Sequence, residues 1–208
     1  MRSRLAGLAV VTAALVPLAA LAPAHAEVVV DCAGGAVTVD QSVETVTVTG
    51  VCTDVIVSGS NSVVTVPDAA TLTITGSNTE VTAGALETLS VSGDNSSVSA
   101  PSVTDVTLSG GNSRAVVAGA IGTARITEAN STVKALSITK AVIKASNSDI
   151  VATTGTTAVV RGAVNAVRYT RLEKLSVIGA NNRATVRKGT TVVKVKGPNN
   201  SVRVHKRA

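Results

Sequence analysis

In 208 residues there is no phenylalanine, no tryptophan and one tyrosine, Tyr169. A core without rings must be filled by Val, Ala, Ile and Leu. That suits thin β layers in which branched side chains stack on copies of themselves. The same absence leaves no aromatic platform for nucleobases, so sequence-specific nucleic-acid binding is disfavoured. Beyond position 26 the one histidine is His205, near the end, and no Ser/His/Asp set can be assembled from it. Cysteine is limited to Cys32 and Cys52, with no further ligands spaced for a metal. No metal, cofactor or catalytic residue is therefore expected. There is no Gly-Gly-x-Gly-x-Asp run to bind calcium in a β-roll. The 3.6-residue apolar spacing of helices is missing, and with it any phosphate-cradling loop ahead of a helix. Residues 27–113 hold ten Asp and Glu but not one Lys or Arg.

The N-terminus reads as an export signal over residues 1–26. Arg2 and Arg4 form a positive start, Leu5 to Leu21 is apolar but interrupted by Pro17, and Ala24-His25-Ala26 is a small-x-small cleavage site. Cleavage there starts the mature chain at Glu27. No Cys directly follows the site, where Glu27 stands, so a lipid anchor is not indicated, and Ser3 separates the two arginines, so neither is a twin-arginine route. No later segment is long and apolar enough to span a bilayer. The expected product is one domain, 27–208, secreted or held at the cell envelope. Export to an oxidising compartment makes a disulfide the default for Cys32 and Cys52. They lie 20 residues apart, about one repeat plus a small offset, so they can meet across neighbouring layers. Closing such a loop stabilises by about 3 kcal/mol in the chain-entropy model.

What is present is a repeat. Asn61, Asn78, Asn95, Asn112, Asn130, Asn147, Asn165, Asn181 and Asn199 recur with gaps of 17, 17, 17, 18, 17, 18, 16 and 18 residues. Apolar residues recur ahead of the Asn at minus six and minus four, as in Val55 and Val57, Leu72 and Ile74, or Leu89 and Val91. Glycine recurs at minus two, as Gly59, Gly76, Gly93 and Gly110. Val64 and Val66, Val81 and Ala83, or Val98 and Ala100 follow at plus three and plus five. Spacing by two means strands with one face inward, and Pro67, Asp68, Gly84 and Pro101 supply turns between them. The fold expected is all-β: a single-stranded parallel β-solenoid of nine or ten coils of 17–18 residues, with 36–48 as an early coil. An antiparallel sandwich would not need the constant phase. Asparagine suits a recurring corner for two reasons: its amide can bond the copies above and below, or its backbone tolerates the left-handed conformation. Either way the nine form a structural ladder. Late in the chain Glu128, Ala145 and Ala163 replace the expected glycine, and 161–175 loses the phase.

Gly59-Ser60-Asn61-Ser62-Val63 and Gly76-Ser77-Asn78-Thr79, following an export signal and the Cys-Ala-Gly-Gly start at Cys32, resemble the domain-of-unknown-function family numbered three thousand and sixty, found in secreted and envelope proteins of actinobacteria. The resemblance covers roughly 30–205 and is best over 32–112. It implies a β-solenoid and no known activity, so no functional residues carry over.

Charge is sorted along the chain. After the acidic first half, residues 114–160 hold five bases and two acids, and 161–208 hold twelve bases with Glu173 as the sole acid. In a solenoid, sequence position is axial position, so one end is acidic and the other basic. Arg203, Lys206 and Arg207 suit protection of the last open edge. Arg168, Arg171, Lys174, Arg183, Arg187, Lys188, Lys194, Lys196 and Arg203 are the candidates for binding a polyanion such as an acidic wall polymer, an anionic lipid surface or extracellular nucleic acid. Head-to-tail attraction between the two ends is a further reading. The function expected is therefore a non-enzymatic structural or surface-interaction protein of the envelope. One alternative is a polysaccharide-modifying β-helix enzyme using paired carboxylates such as Glu80 with Asp94 or Glu87 with Asp105. The other is ice binding by the hydroxyl rows Thr71, Thr73, Thr75 and Thr88, Ser90, Ser92, continued by Thr107 and Ser109.

Overall fold

The computed structural model describes residues 27–208; the expected export signal, 1–26, lies outside them. Every element among the described residues is a β-strand. In the first half each coil holds two short strands: β1 Glu27–Asp31, β2 Val37–Val39, β3 Thr45–Thr49, β4 Cys52–Val57, β5 Val63–Val66, β6 Ala69–Ile74, β7 Glu80–Ala83, β8 Leu86–Val91, β9 Ser97–Ala100 and β10 Val103–Leu108. From there the two strands of a coil run together into one: β11 Arg114–Ile126, β12 Thr132–Ile143, β13 Asp149–Ala163, β14 Ala166–Ala180, β15 Arg183–Lys196 and the shorter β16 Ser201–Arg207. All pairings are parallel. β1, β3, β5, β7 and β9 stack as one face and β2, β4, β6, β8 and β10 as a second; β11 joins both. The first face has eleven rungs, against nine or ten expected. At about 4.8 Å per rung they span about 48 Å.

The period-two residues make the core. Val55, Val57, Leu72, Ile74, Leu89 and Val91 line the inside of the second face, and Val64, Val66, Val81, Ala83, Val98 and Ala100 that of the first, all buried. Stacking puts aliphatic upon aliphatic, with Val, Ala, Leu and Ile sharing columns, as Val66 with Ala83 and Val106 with Ala124. Tyr169 is the exception, at 2% exposure. It fits because the two preceding residues in its column are Ala135 and Ala152, and because Gly155 beside it has no side chain: a Cβ there would collide with the ring. Cys32 and Cys52 are bonded, tying the end of β1 to the start of β4, with Cα atoms 5.2 Å apart.

The asparagines sit at the corner between second and first faces. Asn61, Asn78, Asn95, Asn112, Asn130, Asn147, Asn181 and Asn199 all have φ between 54° and 61°, the left-handed region that Asn tolerates best after glycine. They are exposed. Side-chain hydrogen bonds link successive copies where Asn78 Nδ2 donates to Asn61 Oδ1 and Asn147 Nδ2 to Asn130 Oδ1. Asn165 departs from this row. Val164 takes the left-handed corner, at φ 61°, and Asn165 points inward at 1% exposure. The regular tick therefore falls at 147, 164 and 181, two gaps of 17 in place of 18 and 16. Ala163 is not a replaced glycine, because Gly162 holds the minus-two position. Nor is the phase lost over 161–175: β13 and β14 pair in continuous register from Asp149 with Ala166 to Ala163 with Ala180.

An inner polar row follows the corners from 61 onward: Ser62, Thr79, Ser96, Ser113, Ser131, Ser148, Asn165, Asn182 and Asn200. Each donates to a backbone carbonyl of the previous coil, as Ser62 Oγ to Gln41 O at 2.7 Å, Ser113 Oγ to Gly93 O at 3.0 Å and Asn182 Nδ2 to Gly162 O at 3.0 Å. Those carbonyls are otherwise corner acceptors facing the core, where an unmet polar group costs about 1–3 kcal/mol. The buried amide ladder expected of the corner asparagines exists here, one residue further on. Asn165 donates to Asn182 Oδ1 at 3.1 Å and Asn182 to Asn200 Oδ1 at 3.0 Å.

Glycine at minus two lets the corners nest. A Cβ on Gly93 would collide with the carbonyl of Gly76, and one on Gly110 with that of Gly93. In these coils one carbonyl accepts two amides: Val91 O takes both Ser109 N and Gly110 N. Where Glu128 and Ala145 stand, the corner keeps the first bond, Thr127 N to Leu108 O and Lys144 N to Ile126 O.

Candidate functional site

The nine predicted basic residues are all exposed, but the coil divides them. Arg168, Arg183, Arg187 and Arg203 lie on the first face. Lys174, Lys194 and Lys196 lie on the second, opposite Thr157, Ser176 and Ile178 respectively. Arg171 and Lys188 stack directly on each other at the turn between faces, where Glu173 shares a depression with them. On the last three rungs the first face thus carries arginine without lysine, whereas the second carries Lys174, Lys194 and Lys196, with Arg161 one rung earlier in the column of Lys196.

Register fixes the arginine pattern. Arg168 lies over Thr185, and Thr185 over Arg203. Arg183 and Arg187 flank Thr185 two residues to either side on the same strand. The four arginines therefore form a rhombus with Thr185 at its centre. With rungs about 4.8 Å apart and two strand residues covering about 6.6 Å, its edges are about 8 Å between backbones. A depression on this face is lined by Val151, Thr153, Arg168, Thr170 and Arg187, with Tyr169 at its floor. The nearest acid sharing a column with the group is Asp149, two rungs below Arg183. Thr185 and Thr170 went unnoticed in the sequence, since nothing in linear order marks them as neighbours of Arg203 and Arg187. Burial of Tyr169 pushes its phenol above the ordinary value of 10.0. Its hydroxyl has no hydrogen-bond partner among the described residues.

Acids occupy the other end: Glu27 and Asp31 on β1 and Asp54 on β4. One second-face column shows the gradient, running Asp54, Thr71, Thr88, Asp105, Thr123, Lys140, Thr157, Lys174. Both end rungs expose half-buried core valines, Val28 and Val30 at one end and Val202 and Val204 at the other.

The residues behind the alternative readings are also placed. Thr71 lies over Thr88, and Thr73, Ser90 and Thr107 stack in register. The third hydroxyl row is turned to the backbone: Thr75, Ser92 and Ser109 donate to Val57 O, Ile74 O and Val91 O of the preceding coil. Glu80 is on the first face, whereas Asp94 is at a corner, accepting from Gly111 N at 2.7 Å. Asp105 pairs with Thr88, one register position from Glu87. Glu87 shares a depression with Asp68, whose carboxylate accepts from Ala85 N at 2.7 Å. Among the described residues no group of three or more His, Cys, Asp or Glu side chains is placed to hold a metal ion, and no helix is long and apolar enough to cross a membrane.

No curated protein and no solved structure matches the chain. Residues 39–85, from the last residue of β2 to the turn before β8, match the family model described as Protein of unknown function (DUF3060), so this stretch is similar to a family whose description assigns no activity.

Proposed function

We propose that the protein is an exported, non-enzymatic rod of the cell envelope, whose basic end binds an anionic polymer or surface. The observation that carries this reading is the axial sorting of charge: ten acids and no bases over 27–113, twelve bases and one acid over 161–208. A stiff column of hydrogen-bonded rungs keeps those charges at fixed separation, so opposite ends present opposite potentials. The disulfide at the N-terminal coil suits an oxidising compartment. The test is salt-dependent retention of the purified protein on envelope fractions and on immobilised anionic polymer. Four phosphate-type contacts give a loss of about 50-fold between 50 and 200 mM salt, taking about −0.7 per contact as for single strands. Retention that ignores salt refutes the reading.

Head-to-tail association of copies is a second reading, favoured by the end valines. Val28 and Val30 belong to the same inward columns as Val202 and Val204, and acidic Glu27 and Asp31 flank the former while Arg203 and His205 flank the latter. Sedimentation at low salt then gives species growing with concentration that revert to single chains at high salt; a concentration-independent single species refutes it.

A further inference from the structure

We propose that the first face at the basic end, carrying Arg168, Arg183, Arg187 and Arg203 around Thr185, is a docking surface for a linear polyol-phosphate polymer, a chain of phosphodiesters joined by polyol or sugar units. This rests on the polyanion reading above and specifies its face and its chemistry.

Three features carry it. The first is segregation by residue type. On the last three rungs the first face carries arginine and no lysine, while Lys174, Lys194 and Lys196 stand on the second, with Arg207 past the turn on β16 and Arg161 one rung earlier in the column of Lys196. Solubility or edge protection asks only for positive charge and is met by either residue. A guanidinium differs from an ammonium in offering a planar fork that grips phosphate oxygens in pairs. The second is geometry. Edges of about 8 Å let neighbouring long side chains converge from two rungs upon one phosphate over Thr185, whose half-buried hydroxyl is a further donor. The next phosphate along a flexible chain then meets the opposite edge of the rhombus. The depression beside Arg168 and Arg187, walled by Val151, Thr153 and Thr170, accepts the uncharged linker between phosphates. The third is what the face lacks. Nucleic acid without sequence preference is held by aromatic side chains on which bases stack; Tyr169, the chain's sole ring of that kind, is buried beneath this face. The phosphodiester backbone is thus accommodated and bases are not.

The experiment measures binding of the full chain to three polymers of matched length: poly(glycerol phosphate), single-stranded DNA and polyglutamate. Two variants accompany it, each checked for an unchanged melting curve. One converts Arg168, Arg183, Arg187 and Arg203 to lysine, keeping charge and removing the forks. The other converts Lys174, Lys194 and Lys196 to glutamine. The expected result is tightest binding to the polyol phosphate, about tenfold weaker binding by the lysine variant with its salt slope unchanged, and binding within about twofold of the parent by the glutamine variant. Equal binding by the lysine variant, equal weakening by the glutamine variant, or tighter binding of DNA or polyglutamate overturns the docking surface while leaving the polyanion reading in place. Failure of the parent protein to bind any of the three overturns both.

Discussion

Val164 and Asn165 give the sharpest test of how the coil is built. Val164 holds φ at 61° and is 55% exposed. A left-handed backbone costs an ordinary L-residue about 1–2 kcal/mol, and a branched side chain tolerates it poorly. Replacing Val164 with Asn, as in eight other corners, removes most of that strain and forfeits little burial. The variant should gain about 1 kcal/mol, which in a chain of this size raises Tm by about 3 °C. Val164→Gly should gain less, because glycine also loosens the unfolded chain. Asn165 behaves oppositely. Its amide donates to Ala145 O at 2.8 Å and Asn182 Oδ1 at 3.1 Å, and its carbonyl accepts from Ser148 N at 2.9 Å. Asn165→Ala strands those groups in the core and should cost about 3 kcal/mol. Asn165→Ser should cost about 1 kcal/mol, since serine already fills this row in earlier coils. Asn147→Ala, at an exposed corner, should lose about 1 kcal/mol. Urea unfolding followed by far-ultraviolet circular dichroism and by the fluorescence of Tyr169 measures all five. A destabilised Val164→Asn, or an Asn165→Ala no worse than Asn147→Ala, would refute the assignment of the corner to position 164.

Further outcomes follow from other parts of the coil. Replacing Cys32 and Cys52 together with serine should cost about 3 kcal/mol. In a stacked repeat the loss is local, so hydrogen exchange should accelerate over 28–57 and stay slow beyond β8; uniform acceleration would contradict it. Gly93→Ala should cost about 3 kcal/mol or more, because its Cβ meets the carbonyl of Gly76, whereas Gly35→Ala, whose Cβ has only Cys32 O at 3.8 Å, should be nearly neutral. Equal melting points for the two would refute the nesting argument. Tyr169→Phe removes a buried hydroxyl with no partner and should stabilise by about 1 kcal/mol. It should also alter the alkaline limb of stability. Burial holds the folded phenol above 10.0, so past that pH the unfolded chain releases its proton first and the parent loses stability as pH rises. The phenylalanine variant lacks that slope; identical alkaline profiles would argue against a buried phenol.

Much of this was legible because the repeat is a direct image of the coil. Val55 and Val57, or Leu72 and Ile74, could be assigned inward from their spacing alone, and Cys32 and Cys52 could be paired from theirs. Asn165 misleads because its identity matches the corner row while its phase does not. Two cues point the other way: Gly162 lies 17 residues before Gly179, and a Ser, Thr or Asn follows every corner from 61 onward. The inner row was visible as letters, but its purpose was not. Nothing in the sequence says that the Gly93 carbonyl faces inward and needs the hydroxyl of Ser113.

The sequence by itself determined the strands, the parallel stacking, the disulfide and the order of charge along the axis. Each of these follows from a period of about seventeen residues, alternation by two, and position along one chain. Only the tertiary structure decided which side of the rod a charge faces. Arg168 and Lys174 are six residues apart in sequence yet stand on different faces, while Arg168 and Arg203 are two rungs apart in one column. A coil carries residues close in sequence around a turn and brings distant ones together through backbone hydrogen bonds between rungs.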